Sequence, residues 1–220
     1  MKRKLIFFLV TLLPLMAMSQ GKIKSHARKT TKPTVSVSNS TDIINGHKYV
    51  DLGLSVKWAT CNIGASSPSD YGNYYAWSET TTKSEYNTSV CKTDVKDMSD
   101  IAGNADYDAA RANWGNTWRL PTKAEFKELL NNCTWNWVTY KGHKGYKGTS
   151  KINGKSVFFP AAGLREGTSL GDVGIEGNYW SSTSDKDAIC AADNFYFDSS
   201  ERGMGWCHRG FGFTVRPVSE

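Results

Sequence analysis

The segment Trp118-Arg-Leu-Pro-Thr-Lys-Ala-Glu-Phe-Lys-Glu-Leu-Leu constrains the fold of this chain more than any other, because it fixes a helix start almost to the residue. Pro121 has no N–H to give to a strand ladder, and Thr122 with Glu125 three residues on has the spacing of a capping box. The spacing predicts a helix from about Lys123. Phe126, Leu129, Leu130 and Cys133 then fall on one apolar stripe, with Lys123, Lys127 and Glu128 outside it. Trp118, Leu120 and Phe126 are expected in a core, and Arg119 is expected to brace the fold. The segment names a scaffold and carries no chemistry of its own.

The N-terminus points to export. Lys2, Arg3 and Lys4 precede the apolar run Leu5 to Leu15, and Ala17-Met18-Ser19 supplies small residues for cleavage, so residues 1–19 read as a secretory signal. The run falls short of the roughly 20 residues of a membrane span, and no cysteine follows it to take a lipid. No transmembrane segment is expected after cleavage, and the product is expected in the periplasm, on the cell surface or secreted.

Residues 20–44, rich in Lys, Ser and Thr, read as a basic linker too polar to fold, and residues 45–220 as a single domain. Eight of the 27 basic side chains and one of the 21 acidic ones precede Asn45, leaving 19 against 20. The net charge of +6 therefore belongs to the leader and linker. A near-neutral domain argues against a nucleic-acid groove.

Long aliphatic runs are missing while Trp, Tyr and Phe abound, which suits short strands and structured loops packed by rings. Val50, Leu52, Val56 and Trp58 alternate around Gly53 as core candidates of two strands. Tyr71, Tyr74, Tyr75 and Trp77 make the segment from Asn62 to Thr82 a packed loop. Asp106 to Asn113 reads as a short helix closed by Gly115, and Thr134 to Tyr140 as a half-buried strand with Trp135 and Trp137 inward. Asn153-Gly154 predicts a type I′ hairpin between Tyr146–Ile152 and Lys155–Phe159. Gly163 to Asn178 reads as a glycine-rich loop. Tyr179–Thr183, Ala188–Asp198 and Phe211–Val218 close the domain as strands.

Five cysteines, Cys61, Cys91, Cys133, Cys190 and Cys207, in an exported chain imply some oxidation. Cys190 with Cys207, flanking one C-terminal hairpin, is the first pairing expected, and Cys61 with Cys133 the second. With no C-x-x-C pair and four histidines, a structural zinc is not expected.

Several separated segments agree with one family. Tyr49-Val-Asp-Leu-Gly-Leu-Ser-Val-Lys-Trp-Ala-Thr-Cys-Asn, Asp70-Tyr-Gly-Asn-Tyr-Tyr-Ala-Trp-Ser-Glu-Thr, Trp118-Arg-Leu-Pro-Thr, Phe158-Phe-Pro-Ala-Ala-Gly, Gly177-Asn-Tyr-Trp-Ser-Ser-Thr and Val215-Arg-Pro-Val resemble, in order, the Fibrobacter succinogenes major paralogous domain family. Its exported proteins are frequent in gut Bacteroidetes. The resemblance spans about Gly46 to Val218. It implies an α+β, C-type-lectin-like fold: small twisted antiparallel sheets, two short flanking helices and long structured loops. Lys48–Leu52 would pair with Phe213–Val218, and the loops from Gly163 to His208 would form the ligand surface.

The formylglycine-generating enzymes share Arg-Leu-Pro-Thr-x-x-Glu but hold copper with closely spaced cysteines near the C-terminus, and Cys207 has no such neighbour. That carry-over of catalysis fails, and no catalytic residue is assigned. The first functional reading is therefore an exported non-catalytic recognition module for a glycan, a protein or a cell-surface polymer, using loops near the C-terminal strands. Arg165, Glu166, Trp180, Asn194, Tyr196, Arg202, Trp206 and His208 are its candidate ligand contacts. Calcium is the one cofactor considered, with Asp172, Glu176, Asn178 and Asp193 as oxygen donors. A structural or assembly role in the cell envelope is the alternative, and a hydrolase using the loop carboxylates is the third reading.

Overall fold

The computed structural model describes residues 42–87, 98 and 100–220. The signal, nearly all of the linker and Cys91 lie outside the described residues. The sheet already includes residues ahead of Asn45: β1 (Ile43–Ile44) turns back on β2 (His47–Val50) through Asn45 and Gly46, at φ 46° and 80°. Positive φ at both central residues is what a two-residue type I′ hairpin needs. β3 (Lys57–Ala59) pairs with β2, and β14 (Val218–Ser219) pairs with β3, giving the order β1-β2-β3-β14. The C-terminal strand therefore lies beside β3 rather than against Lys48–Leu52 as expected. Val218 sits opposite Trp58, and both are fully buried.

A five-stranded sheet carries β4 (Tyr74–Tyr75), β10 (Gly177–Ser184), β11 (Ala191–Phe197), β12 (Arg202–His208) and β13 (Phe213–Thr214) in the order β12-β11-β10-β13-β4. The β10–β13 pair is parallel and the rest antiparallel. β5 (Cys133–Tyr140), β6 (His143–Ser150) and β7 (Ser156–Pro160) form a third sheet. The span read as a glycine-rich loop contains a small hairpin of β8 (Leu164–Glu166) and β9 (Ser169–Gly171). Small antiparallel sheets with two helices among the described residues make this an α+β fold.

The helix α1 (Ala109–Trp114) ends at Gly115, φ 65°, whose N–H reaches the Arg111 carbonyl at 3.0 Å. The second, α2 (Lys123–Asn132), starts where the capping box puts it. The Thr122 hydroxyl accepts from the Glu125 N–H at 3.2 Å, and Glu125 accepts from the Thr122 N–H at 2.8 Å. Phe126 and Leu129 are fully buried, and Phe126 meets Trp58 and Phe195 at ring separations of 5.2 and 5.3 Å. Trp118 is fully buried too, its indole donating to the Ile44 carbonyl at 3.0 Å.

Arg119 braces this corner by gripping Glu125 with two nitrogens at 2.6 and 2.9 Å, while its backbone pairs with Val218. Burial alone would raise the Glu125 carboxyl. The Arg119 and Thr122 hydrogen bonds more than offset it, holding the group below its usual range. A depressed folded value lends stability that is present above the unfolded carboxylate range and lost as pH falls through the folded value. Arg119→Met is therefore expected to lower the urea midpoint at neutral pH and to flatten its fall between about pH 5 and pH 3, where the parent loses the pair.

Candidate functional site

The structure divides the sequence candidates between the two faces of the β10-β11-β12 layer. Register sets the division: Asp193 lies opposite Trp206, Phe195 opposite Met204 and Phe197 opposite Arg202, so these side chains share the face packed on α2. There Asp193, 2% exposed, takes a 2.7 Å bond from the Lys123 ammonium, and Arg202 lies 5.3 Å from the Tyr146 ring centroid. Trp206 is 63% exposed on the edge strand, the one candidate with an open aromatic surface. His208 is half-buried, with an Nδ1 that finds no partner among the described residues.

The opposite face gathers a polar chain. Asn194 donates to Asn178 at 3.2 Å and Asn178 donates to Glu176 at 2.8 Å, with Tyr196 opposite Asn178. Burial raises the Glu176 carboxyl. The Asn178 bond opposes that shift, while Asp172 and Asp198 reinforce it. Glu166 is exposed, and the Arg165 guanidinium lies over the Tyr74 ring at 5.3 Å. Trp180, taken above as a ligand contact, is 1% exposed; it stacks on Phe213 at 4.2 Å and donates to the Tyr75 carbonyl at 2.8 Å. It is a core ring. Of the four calcium candidates, Glu176 and Asn178 are in contact, whereas Asp193 points to the other face and is engaged by Lys123. Among the described residues no three His, Cys, Asp or Glu side chains are grouped to hold a metal.

Both expected cysteine pairings are corrected. Cys61, Cys133 and Cys207 are free, so neither Cys190–Cys207 nor Cys61–Cys133 forms. Register explains the first: Ala192, not Cys190, lies opposite Cys207. Burial pushes the Cys133 and Cys207 thiols up to about 11, the reverse of what a nucleophile needs.

A concavity of small-molecule size lies elsewhere, on the outer face of β5-β6-β7. Cross-strand pairing puts Lys147 beside Phe158, and Val138 beside Gly145 on the same face. A side chain at Gly145 would collide with the Phe158 ring and the Phe159 carbonyl, so glycine lets that ring lie down on the sheet. Tyr140 meets Phe158 at 5.3 Å. Val50, Thr60 and Pro68 form the facing wall, and the cleft between measures about 440 Å³, within the ~300–1,000 Å³ of small-molecule sites.

None of these residues was a sequence candidate, yet a signal existed. Trp135 and Trp137 face the core, so Val138 and Tyr140 are apolar residues on the strand's outward side.

Comparisons with models of known protein families, with curated proteins and with solved structures return no match.

Proposed function

We propose that this chain is an exported, non-catalytic recognition module of the C-type-lectin-like kind. It takes a small ligand, or the apolar part of a glycan, surface protein or polymer, into the cleft between β2 and the β5-β6-β7 sheet. The leader-like N-terminus and the ordered family-like motifs support the export and the kinship. One observation carries the binding site: an aromatic and aliphatic cleft of about 440 Å³ lined mainly by strand residues. The exposed Trp206 edge presents a single open ring, and in the Glu176–Asn178–Asn194 chain both asparagines are buried.

The neutral dye Nile red tests the reading. It is expected to bind the full chain with a blue-shifted emission, and Val138→Trp, which fills the cleft from an outward-facing position, is expected to reduce that binding at least about tenfold with an unchanged urea midpoint. Val138→Trp that binds the dye as the parent does would sink the reading, as would a parent that does not bind it.

A further inference from the structure

We infer that the cleft selects an amphiphilic carboxylate, an apolar aryl or alkyl body with an anionic head. The inference rests on the recognition reading above. Val50, Val138, Tyr140 and Phe158 supply an apolar seat, and Lys147 is the one charged side chain among the lining residues. Among the described residues no carboxylate lies within ion-pair distance of Lys147, so its ammonium is available to a ligand. The nearest acidic residues in sequence do not line the cleft: Asp51 accepts from the Gly53 N–H at 2.8 Å, and Asp70 is held by Ser66 and Ser67 at 3.0 and 2.9 Å.

A second cation stands behind the facing wall. Arg216 is fully buried, and its Nη1 donates to the carbonyl of Thr60, a lining residue, at 2.9 Å. Its remaining bonds go to the Ala59 carbonyl and the Asn62 side chain, and Nη2 has no partner among the described residues. Among the described residues no carboxylate neutralises it. Buried guanidinium keeps its charge, and the low-dielectric surroundings let its field reach further than an exposed charge would. Lys141, over the Tyr140 ring at 5.7 Å, adds positive charge at the rim. An apolar seat framed by cations and free of lining carboxylates favours an anion over a neutral or cationic head.

The test is isothermal titration of the full chain with octanoate, indole-3-propionate and their neutral partners octan-1-ol and indole-3-propionamide. Each acid is expected to bind at least about fivefold more tightly than its neutral partner, the size an accessible ion pair supplies. Lys147→Gln is expected to remove most of that preference while leaving the neutral ligands unchanged, and raised salt to narrow it. Equal affinities for acids and neutral partners, or a preference undiminished by Lys147→Gln, would overturn the inference and leave the recognition reading standing. If no ligand of either kind binds, both fall.

Discussion

Asp108→Ala is expected to cost about 4 kcal/mol and to leave the domain largely unfolded at moderate urea. The Asp108 side chain is fully buried, and its carboxylate is the meeting point of three chain segments. Oδ1 accepts from the N–H groups of Ala110 and Arg111 at 2.8 and 3.0 Å, which caps α1. Oδ2 accepts from Gly103 at 2.7 Å and from Leu120 at 2.9 Å, tying the preceding loop and the Trp118–Leu120 segment to the same atom. Alanine orphans four N–H donors where water has little access, and each orphan costs about 1–3 kcal/mol before relaxation. Asp108→Asn separates shape from hydrogen bonding. Its amide oxygen can serve only one pair of donors, and its NH₂ must face the other pair, so a loss of about 2–3 kcal/mol is expected. Urea denaturation followed by tryptophan fluorescence measures both. An asparagine variant as stable as the parent would show that only one pair of these bonds matters.

What the sequence made legible is what local chemistry decides. The capping box at Thr122 and Glu125 satisfies donors within one turn, so no distant residue can move it. Likewise Trp118, Leu120 and Phe126 had nowhere to go but a core. The Asn153-Gly154 pair shows where this kind of reading stops. Only Gly154 takes positive φ, 74°, because the loop is shaped by docking: Ser150 donates to the Leu52 carbonyl at 2.6 Å and Asn153 to the Asp51 carbonyl at 3.0 Å. The two-residue turns with both φ positive lie instead at Asn45-Gly46 and Lys141-Gly142. Lysine gives no warning of that conformation. The Gly163–Asn178 span hid β8 and β9 for a related reason, since three-residue strands hold too few side chains to show alternation. The cleft was missed because its two walls come from segments about 80 residues apart, joined by sheet packing that no local pattern encodes.

Arg216→Met is expected to cost about 3–4 kcal/mol, with the cause lying in acceptors rather than in packing. Methionine fills much of the same volume. It leaves the Asn62 oxygen and the carbonyls of Ala59 and Thr60 without the donors that now reach them at 2.7, 3.1 and 2.9 Å. It also gives up the guanidinium over the Phe159 ring at 4.9 Å. Against this stands relief from burying a charge, worth several kcal/mol per ion. Three orphaned acceptors outweigh that relief because Asn62 cannot turn to help: its amide nitrogen is committed to the Tyr71 carbonyl at 2.8 Å. Arg216→Lys tests the electrostatic half separately. Burial disfavours the charged form of an amine, so the folded pKa of the new amine falls below its unfolded value. The unfolded chain then binds more protons between those two values, and stability rises with pH across that window. Urea midpoints for Arg216→Lys are therefore expected to climb between about pH 7 and pH 10 relative to the parent, whose guanidinium stays protonated throughout. Parallel pH profiles for parent and lysine variant would show that this position is hydrated and would remove the second cation from the cleft's electrostatics, leaving its anion preference to Lys147 and, at the rim, Lys141.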